Sequence, residues 1–241
     1  MTTFVLVHGA WGGGWNWRFV AKALRAAGYE VHTPTLTGMG DRAHLGHALV
    51  NLDTHVQDVI NVLYYENLKN VVLVGHSYGG MPITGVADLA SDRLERLVYL
   101  DAALPDDGQS FFDVYPDGRD WWESRALKGD GWVKLDTAEF PHVVEAIPDK
   151  TIRDWFIERM EGQLQPIGTL TQPVRIRKNQ VPRTFIYCTQ MQNNSRDAAK
   201  AKADPNMEYM EIQTNHFAPF SAPELVVESL LKIAKMNTKI K

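Results

Sequence analysis

Hydrophobic residues recur along the chain in two alternating patterns, which predict strands and helices in turn. Short stretches predict strands at 3–8, 29–34, 71–75, 96–101, 183–188 and 207–213, and those at 3–8 and 71–75 are apolar runs. Apolar residues at helical spacing predict helices at about 16–27, 52–65 and 78–90, and a last helix from about Ser221. Strands that alternate with helices predict a mostly parallel sheet of about six strands, covered by helices on both faces.

The segment 104–180 interrupts this alternation. It contains no clear strand, and its apolar spacing predicts helices at roughly 137–147 and 149–162. Because ligands of open α/β sheets bind outside the carboxyl ends of the strands, we expect this segment to lie there as a helical cap. The predicted core is then 1–103 together with 181–241, and the predicted cap is 104–180.

The stretch Gly75-His76-Ser77-Tyr78-Gly79 joins a fully apolar predicted strand to a predicted helix. A G-x-S-x-G turn in this context holds its serine in a strained, exposed position, and its glycines remove side chains that would clash. Glycine and serine are also common in ordinary turns, so a purely structural turn is the alternative. The strand before the turn and the helix after it favour Ser77 as a nucleophile.

A serine hydroxyl becomes an effective nucleophile when a base accepts its proton and an acid orients that base. His216, in the stretch QTNHFAPF, lies between the last predicted strand and the last predicted helix and is the expected base. His142 is the other histidine that follows Ser77, and we expect it at the surface of the cap segment. Asp101 ends a predicted strand and is the preferred acid, while Asp197, or no acid at all, remains an alternative.

The glycine-rich stretch HGAWGGGW after the first predicted strand lets the backbone approach a ligand closely. We expect the backbone N–H groups of Ala10 and Tyr78 to stabilise a developing oxyanion. Phosphate binding is the competing interpretation, but the stretch lacks both G-x-x-x-x-G-K-[ST] and a G-x-G-x-x-G followed by an acidic partner. A metal site built from His44, His47 and His55 is a further alternative, without a recognised ligand spacing.

The composition narrows the class of protein. Of the 241 residues, 44% are hydrophobic and 22% are charged, as in ordinary globular proteins. A formal net charge of -4 argues against nucleic-acid binding, and no apolar segment approaches the roughly 20 residues that span a bilayer. Cys188 is the only cysteine, so no internal disulfide can form, and we expect a cytoplasmic location without membrane association.

Five stretches together resemble the α/β-hydrolase superfamily: FVLVHGAWGGGWNW, TPTLTGMGDRAHL, VVLVGHSYGG, LVYLDAALPDDGQS and TNHFAPFSAPELV. Within the superfamily they are most similar to the branch of plant methyl esterases, hydroxynitrile lyases and bacterial EstC-like esterases. The resemblance implies the α/β-hydrolase fold. It also implies Ser77 as nucleophile, His216 as base, and Ala10 with Tyr78 as the oxyanion hole.

The resemblance also concerns the acid that orients His216 and the type of reaction that the protein catalyses. In the plant members the acid follows the strand before the last one, where this chain has Met191, whereas similar bacterial members place it at the position of Asp101. Hydroxynitrile lyases carry a lysine directly after the catalytic histidine, and this chain has Phe217 there. That difference favours hydrolysis over C–C cleavage.

The expected function is hydrolysis of a small, apolar and preferably aromatic carboxylic ester, or of a related carbamate or amide, through an acyl-enzyme on Ser77. We expect the substrate pocket to be lined by Trp11, Trp121, Trp122, Trp155 and Phe217. No cofactor and no metal are implied, and the expected partner is a small-molecule substrate. The alternatives are a lyase or cofactor-free oxygenase on the same scaffold, or a ligand receptor that keeps the same residues. The sequence leaves open whether the chain forms a homodimer.

Overall fold

The computed structural model describes residues 2–47, 49–139, 146–177, 181–191 and 194–237. The strands in these residues are β1 Thr3–Val7, β2 Glu30–His32, β3 Val71–His76, β4 Leu94–Leu100, β5 Trp132–Lys134, β6 Leu164–Pro166, β7 Arg183–Cys188 and β8 Met207–Ile212.

The α-helices in the same residues are α1 Arg18–Ala26, α2 Leu52–Tyr65, α3 Gly80–Leu89, α4 Phe111–Val114, α5 Arg119–Lys128, α6 Lys150–Met160, α7 Gly168–Thr171, α8 Ser195–Ala203, α9 Ala218–Ser221 and α10 Pro223–Asn237. Short 3₁₀ turns lie at Gly14–Trp17, Gly40–Leu45, Ser77–Gly79, Ser91–Arg93, Pro116–Gly118 and Thr137–Glu139. In the part of the chain that the structure describes, no helix has the length and apolar character needed to cross a membrane.

Six strands form one sheet in the order β2-β1-β3-β4-β7-β8, and each neighbouring pair is parallel. This confirms the predicted parallel sheet of about six strands with helices around it. The central strands end at the same level, because His76 pairs with Leu100 and Leu100 pairs with Ile186. Residues that follow β3, β4 and β7 therefore meet at one end of the sheet.

Both faces of the central strands are buried, which explains the apolar runs of β1 and β3. Val5 and Val7 point to one face and pack in a cluster with α2 and α3, while Phe4 and Leu6 point to the other and pack with α1 and α10. A strand covered on both sides needs apolar residues at odd and even positions alike. The central strands thus provide a rigid support for the residues at their carboxyl ends.

The expectation that the segment 104–180 contains no clear strand is wrong. β5 and β6 pair antiparallel in this segment, and each has only three residues, too few to show an alternating pattern. The helix predicted at 149–162 is confirmed as α6, whereas most of the one predicted at 137–147 lies outside the described residues. Helices α5 and α8 were not predicted. The division into core and cap stays a prediction.

Candidate active site

Ser77 lies at the sharp turn between β3 and α3. Its φ of 55° is in the left-handed region, which strains a residue other than glycine. Gly79 permits this turn, because a Cβ there would lie 2.8 Å from the carbonyl oxygens of Val7 and His8. The carbonyl of Ser77 accepts a hydrogen bond from the N–H of Ala103 at 3.0 Å. The turn therefore holds the Ser77 hydroxyl at the carboxyl end of the sheet.

His216 and Asp101 extend from Ser77 in one hydrogen-bonded line. The Ser77 hydroxyl lies 3.0 Å from His216 Nε2, and His216 Nδ1 lies 2.6 Å from Asp101 Oδ2. Asp101 is fully buried directly after β4, and its Oδ1 accepts a hydrogen bond from the Cys188 N–H at 3.2 Å. An imidazole whose Nδ1–H points at a carboxylate presents Nε2 as the acceptor for the serine proton. This arrangement can activate the hydroxyl for nucleophilic attack.

Asp197, the alternative acid, is engaged elsewhere. Its Oδ1 accepts a hydrogen bond from the Leu104 N–H at 3.2 Å, and its Oδ2 lies 2.7 Å from the Tyr115 hydroxyl. It sits in the first turn of α8, beneath the loop that follows β4. Asp101 reaches His216 instead, because β4 lies directly beside β3 in the sheet.

His76 holds the backbone of His216. Its Nε2–H donates a hydrogen bond to the His216 carbonyl at 2.7 Å, and the two rings lie 4.8 Å apart. Burial, together with the neighbouring His216, lowers the pKa of His76 to about 3. His76 is therefore neutral over the usual pH range and donates through Nε2. The base is thus fixed at its ring by Asp101 and at its main chain by His76.

The backbone N–H groups expected to form an oxyanion hole lie close to Ser77. Ala10 is in the loop after β1, where a Cβ on the preceding Gly9 would lie 2.9 Å from the Ser77 Cβ. The Ala10 N–H has no hydrogen-bond acceptor among the residues that the structure describes. Tyr78 begins the first turn after Ser77, where N–H groups lack partners within the helix. Both N–H groups can therefore donate hydrogen bonds to a substrate oxygen bound beside Ser77.

The Tyr78 side chain is anchored away from the site. Its ring is fully buried, and its hydroxyl lies 2.9 Å from His55 Nδ1, while His55 Nε2 lies 2.9 Å from the Thr37 carbonyl. Burial lowers the pKa of His55 to about 4, so the ring is neutral. Since the Thr37 carbonyl can only accept, His55 donates through Nε2 and accepts the Tyr78 proton at Nδ1. This buried chain fixes the residue that follows Ser77.

Trp11, which follows Ala10, is held by the two-stranded sheet of β5 and β6. Its φ is 55°, its N–H donates to Gln165 Oε1 at 3.3 Å, and its indole N–H donates to the Val133 carbonyl at 2.9 Å. Its ring stacks on Trp122 at 4.4 Å and meets Trp121 edge-on at 6.3 Å. Trp121 and Trp122, both expected to line a pocket, support Trp11 instead.

A cavity of about 230 Å³ opens beside Ser77. Its described lining consists of Gly9, Ala10, Trp11, Asn16, His76, Ser77, Leu135, Thr137, Phe156, Met160, Met191, His216, Phe217 and Phe220. Trp11 and Phe217, both expected in a pocket, belong to this lining. None of the described lining residues is an aspartate, glutamate, lysine or arginine. The cavity therefore suits an uncharged, largely apolar molecule.

Trp155, also expected to line the pocket, lies outside this lining. It meets Trp15 edge-on at 5.4 Å, and the Arg159 guanidinium lies 4.5 Å from its ring. Phe156 and Met160, four residues apart on the same helix, face the cavity in its place. The sequence analysis missed both, although their i, i+4 spacing marks one face of α6. The spacing of residues along α6 does not specify which face of the helix turns toward the cavity.

The three histidines considered as a metal site do not lie together. His44 and His47 are exposed, whereas His55 is fully buried beside Tyr78. Within the described ranges, no three or more His, Cys, Asp or Glu side chains are placed to hold a metal ion. His142 lies outside the described residues.

Comparison with known proteins identifies the family. The model of the alpha/beta hydrolase family matches residues 4–229, so the chain belongs to this family. It is 55% identical over 116 residues to a carbendazim hydrolyzing esterase of Nocardioides sp. (strain SG-4G), a match that covers 48% of each chain. It is 36% identical over 106 residues to a pyrethroid hydrolase of Sphingobium wenxiniae, covering 43% of this chain and 37% of that protein. In these matches the chain spans less than half the length of each relative.

A solved structure extends the similarity to nearly the whole chain. It is an extracellular alpha/beta-hydrolase from a Paenibacillus species, described as sharing structural and functional homology with tobacco salicylic acid binding protein 2. The two structures superpose with a TM-score of 0.83 at 25% sequence identity, over 96% of this chain and 98% of the other. The superposition supports the α/β-hydrolase architecture described above.

Proposed function

We propose that the protein is a serine hydrolase that cleaves small, uncharged carboxylic esters, or related carbamates or amides, through an acyl-enzyme on Ser77. The observation on which the proposal rests is the line of hydrogen bonds from the Ser77 hydroxyl through His216 to the buried Asp101. The names of the bacterial relatives, a carbendazim hydrolyzing esterase and a pyrethroid hydrolase, support the same class of reaction.

In the proposed mechanism, Ser77 Oγ attacks the substrate carbonyl while His216 Nε2 accepts the serine proton. Asp101 keeps the imidazole oriented and stabilises its positive charge. The N–H groups of Ala10 and Tyr78 bind the oxyanion of the tetrahedral intermediate. The intermediate collapses, the leaving group departs with the proton from His216, and water then releases the acid by the same steps.

The cavity indicates the class of substrate. Its aromatic side chains are Trp11, Phe156, Phe217 and Phe220 next to the polar residues at Ser77. Flat, polarisable surfaces of this kind favour an aromatic acyl or leaving group. A charged substrate would lose its hydration without a counter-charge in the described lining, which is unfavourable.

The alternatives on the same scaffold are less well supported. A lyase that releases cyanide needs a cation beside the reacting carbon, and Phe217 places an apolar ring there. The receptor hypothesis predicts binding with slow turnover, and the cofactor-free oxygenase predicts oxygen consumption. Product analysis and oxygen measurement distinguish these outcomes from hydrolysis.

The experiment that tests the proposal is hydrolysis of a panel of p-nitrophenyl esters, aryl methyl carbamates and carbendazim. We expect the wild type to turn over at least one member and Ser77→Ala to lose about 10⁴-fold or more in kcat. Asp101→Asn is expected to fall by a similar factor, because the amide would favour the wrong tautomer of His216. Ser229→Ala and Asp204→Asn, away from the cavity, are matched controls and should keep wild-type rates.

Two results would contradict the proposal in different ways. Turnover that survives Ser77→Ala would exclude Ser77 as the nucleophile. Absence of turnover, while a fluorophosphonate still labels Ser77, would show that the substrate class is wrong and would favour the receptor, lyase or oxygenase.

The proposed reaction uses groups of one chain and a small-molecule substrate. Ser77, His216, Asp101 and the cavity lining all belong to the same protomer, so the mechanism does not depend on a homodimer. A cytoplasmic location remains a prediction, in keeping with Cys188 as a buried free thiol.

A further inference from the structure

The backbone of Asp101 is strained and is held in place by a buried side chain. Its φ of 43° lies in the left-handed region, which is unfavourable for an aspartate. The Asp101 N–H donates to the Ile186 carbonyl at 2.8 Å, and the Asp101 carbonyl accepts a short hydrogen bond from the Asn194 side-chain amide. Asn194 is 4% exposed, so water does not replace this contact readily.

The hydrogen bond from Asn194 continues into a buried polar chain. Asn194 Oδ1 lies 2.7 Å from the Tyr115 hydroxyl, and the same hydroxyl lies 2.7 Å from Asp197 Oδ2. The other oxygen of Asp197 accepts the Leu104 N–H at 3.2 Å. Asp197 is 4% exposed. Two oxygen atoms therefore lie at hydrogen-bond distance from one phenol oxygen.

Counting hydrogens determines the direction of this chain. Because the Asp101 carbonyl has no hydrogen, Asn194 must turn its NH₂ group toward Asp101 and its Oδ1 toward Tyr115. Asn194 Oδ1 can only accept, so the single hydroxyl hydrogen of Tyr115 belongs to that contact. The second 2.7 Å contact then needs a hydrogen from the Asp197 carboxyl. If Asp197 were ionised, no hydrogen would lie between the Tyr115 oxygen and Asp197 Oδ2, although these two oxygens are 2.7 Å apart.

We propose that Asp197 is a neutral carboxylic acid in the folded protein and donates its proton to Tyr115, so that a directed chain of hydrogen bonds runs from Asp197 through Tyr115 and Asn194 to the Asp101 carbonyl. Asp197 and Asn194 are positioning residues in this chain, because they act on substrate only through Asp101. The catalytic consequence rests on the proposed function, whereas the protonation of Asp197 does not.

The charged and titratable groups around Asp197 are compatible with a bound proton. Burial has the largest effect and raises the pKa of the Asp197 carboxyl. The contacts with Tyr115 and the Leu104 N–H, and the charge of Lys200, lower this pKa, while the Asp101 carboxylate raises it, and the net direction is upward. Lys200 is one turn along α8, but its ammonium is bound to the Leu104 carbonyl and to Asp106, each at 2.8 Å. Among the described residues, Tyr115 is the other titratable group in hydrogen-bond contact with Asp197.

Three variants test the direction of the chain. In Asp197→Asn the amide can accept from Leu104 and donate to Tyr115, so it reproduces the proposed neutral acid. Asp197→Leu fills a similar volume without either hydrogen bond. Tyr115→Phe removes only the hydroxyl. We would record the infrared difference spectrum of wild type against Asp197→Asn, the melting temperatures of all four proteins against pH, and kcat and KM for a p-nitrophenyl ester.

The first expected result is the C=O band of a protonated carboxylic acid at neutral pH, present in the wild type and absent from Asp197→Asn. The second concerns stability. The folded protein keeps the Asp197 proton above the pKa of about 3.9 for an unfolded aspartate, so it binds more protons than the unfolded chain. The wild-type melting temperature should therefore fall relative to that of Asp197→Asn as the pH rises above this value.

The activity readout addresses the positioning role. We expect Asp197→Asn to retain most of the wild-type kcat, and Asp197→Leu and Tyr115→Phe to lose up to about tenfold in kcat with little change in KM. A missing infrared band, with Asp197→Asn as impaired as Asp197→Leu, would overturn the proposal. The infrared and melting measurements need no substrate, so a wrong substrate class for Ser77 would leave their outcome unaffected.

Discussion

Three residues beside the cavity have backbones in the left-handed region, where side chains other than glycine are strained. They are Trp11, Ser77 and Asp101, with φ values of 55°, 55° and 43°. Such conformations cost roughly 1–3 kcal/mol each and persist where surrounding contacts determine them. Each of the three has a named contact that does so: Gln165 for Trp11, Ala103 for Ser77 and Asn194 for Asp101. The proposed catalytic groups are therefore held by residues that touch no substrate.

At the scale of single residues, substitution of His76 tests whether its hydrogen bond to the His216 carbonyl positions the catalytic base. His76→Phe keeps an aromatic ring but leaves the His216 carbonyl without its donor, a loss of about 1–3 kcal/mol. We expect kcat to fall roughly 5- to 150-fold with a smaller change in KM. His76→Gln, which can still donate, should recover part of the rate. Steady-state kinetics on a p-nitrophenyl ester give both parameters, and equal rates for the two variants would show that the hydrogen bond is dispensable.

At the scale of elements, the two-stranded sheet of β5 and β6, which the sequence did not predict, contributes to the site. Its two three-residue strands hold Trp11 at the indole through Val133 and at the backbone through Gln165. Gln165 is fully buried, and its amide also donates to the Thr169 hydroxyl at 2.5 Å. The two-stranded sheet thereby fixes the loop that contains Ala10.

Gln165→Leu removes the side-chain oxygen that accepts the hydrogen bond of the Trp11 N–H. We expect a fall of about tenfold in kcat for a p-nitrophenyl ester, because the adjacent Ala10 N–H would lose its fixed direction. Gln172→Leu is the matched control, since the Gln172 amide binds Asp53 on α2 rather than the site. Equal losses in both variants would assign Gln165 a purely structural role.

At the scale of the whole molecule, three buried histidines make stability depend on pH. Burial lowers the pKa of His8 and His55 to about 4 and that of His76 to about 3, against 6.5 for an ordinary histidine. Between these values the unfolded chain binds protons that the folded protein does not. The contribution of these histidines to the free energy of unfolding is therefore largest above about pH 6.5 and decreases as the pH falls toward 4.

Urea unfolding at several pH values between 7 and 4 measures this dependence. Each histidine is expected to contribute about 3 kcal/mol over the full range, so the free energy of unfolding should fall by several kcal/mol. His55→Gln should reduce the slope against pH even if it lowers stability at pH 7, and the exposed His44→Gln is the control. An unchanged slope in His55→Gln would show that His55 is not buried as a neutral ring.

The sequence by itself determined the features that depend on neighbouring residues. Short stretches of strand-forming residues predicted the six parallel strands, and the apolar runs of β1 and β3 reflect the burial of both their faces. The glycines of 75–79 predicted the turn that exposes Ser77. His216 followed from its place between the last strand and the last helix. The family resemblance added the two N–H donors, Ala10 and Tyr78.

Only the tertiary structure decided between groups that are far apart along the chain. Asp101 and Asp197 both follow strands, and the position of β4 beside β3, not any local pattern, brings Asp101 to His216. Likewise the rotation of α6 about its axis turns Phe156 toward the cavity and Trp155 away from it. Strand order and helix rotation result from packing over the whole chain, and the spacing of residues within one segment does not specify them.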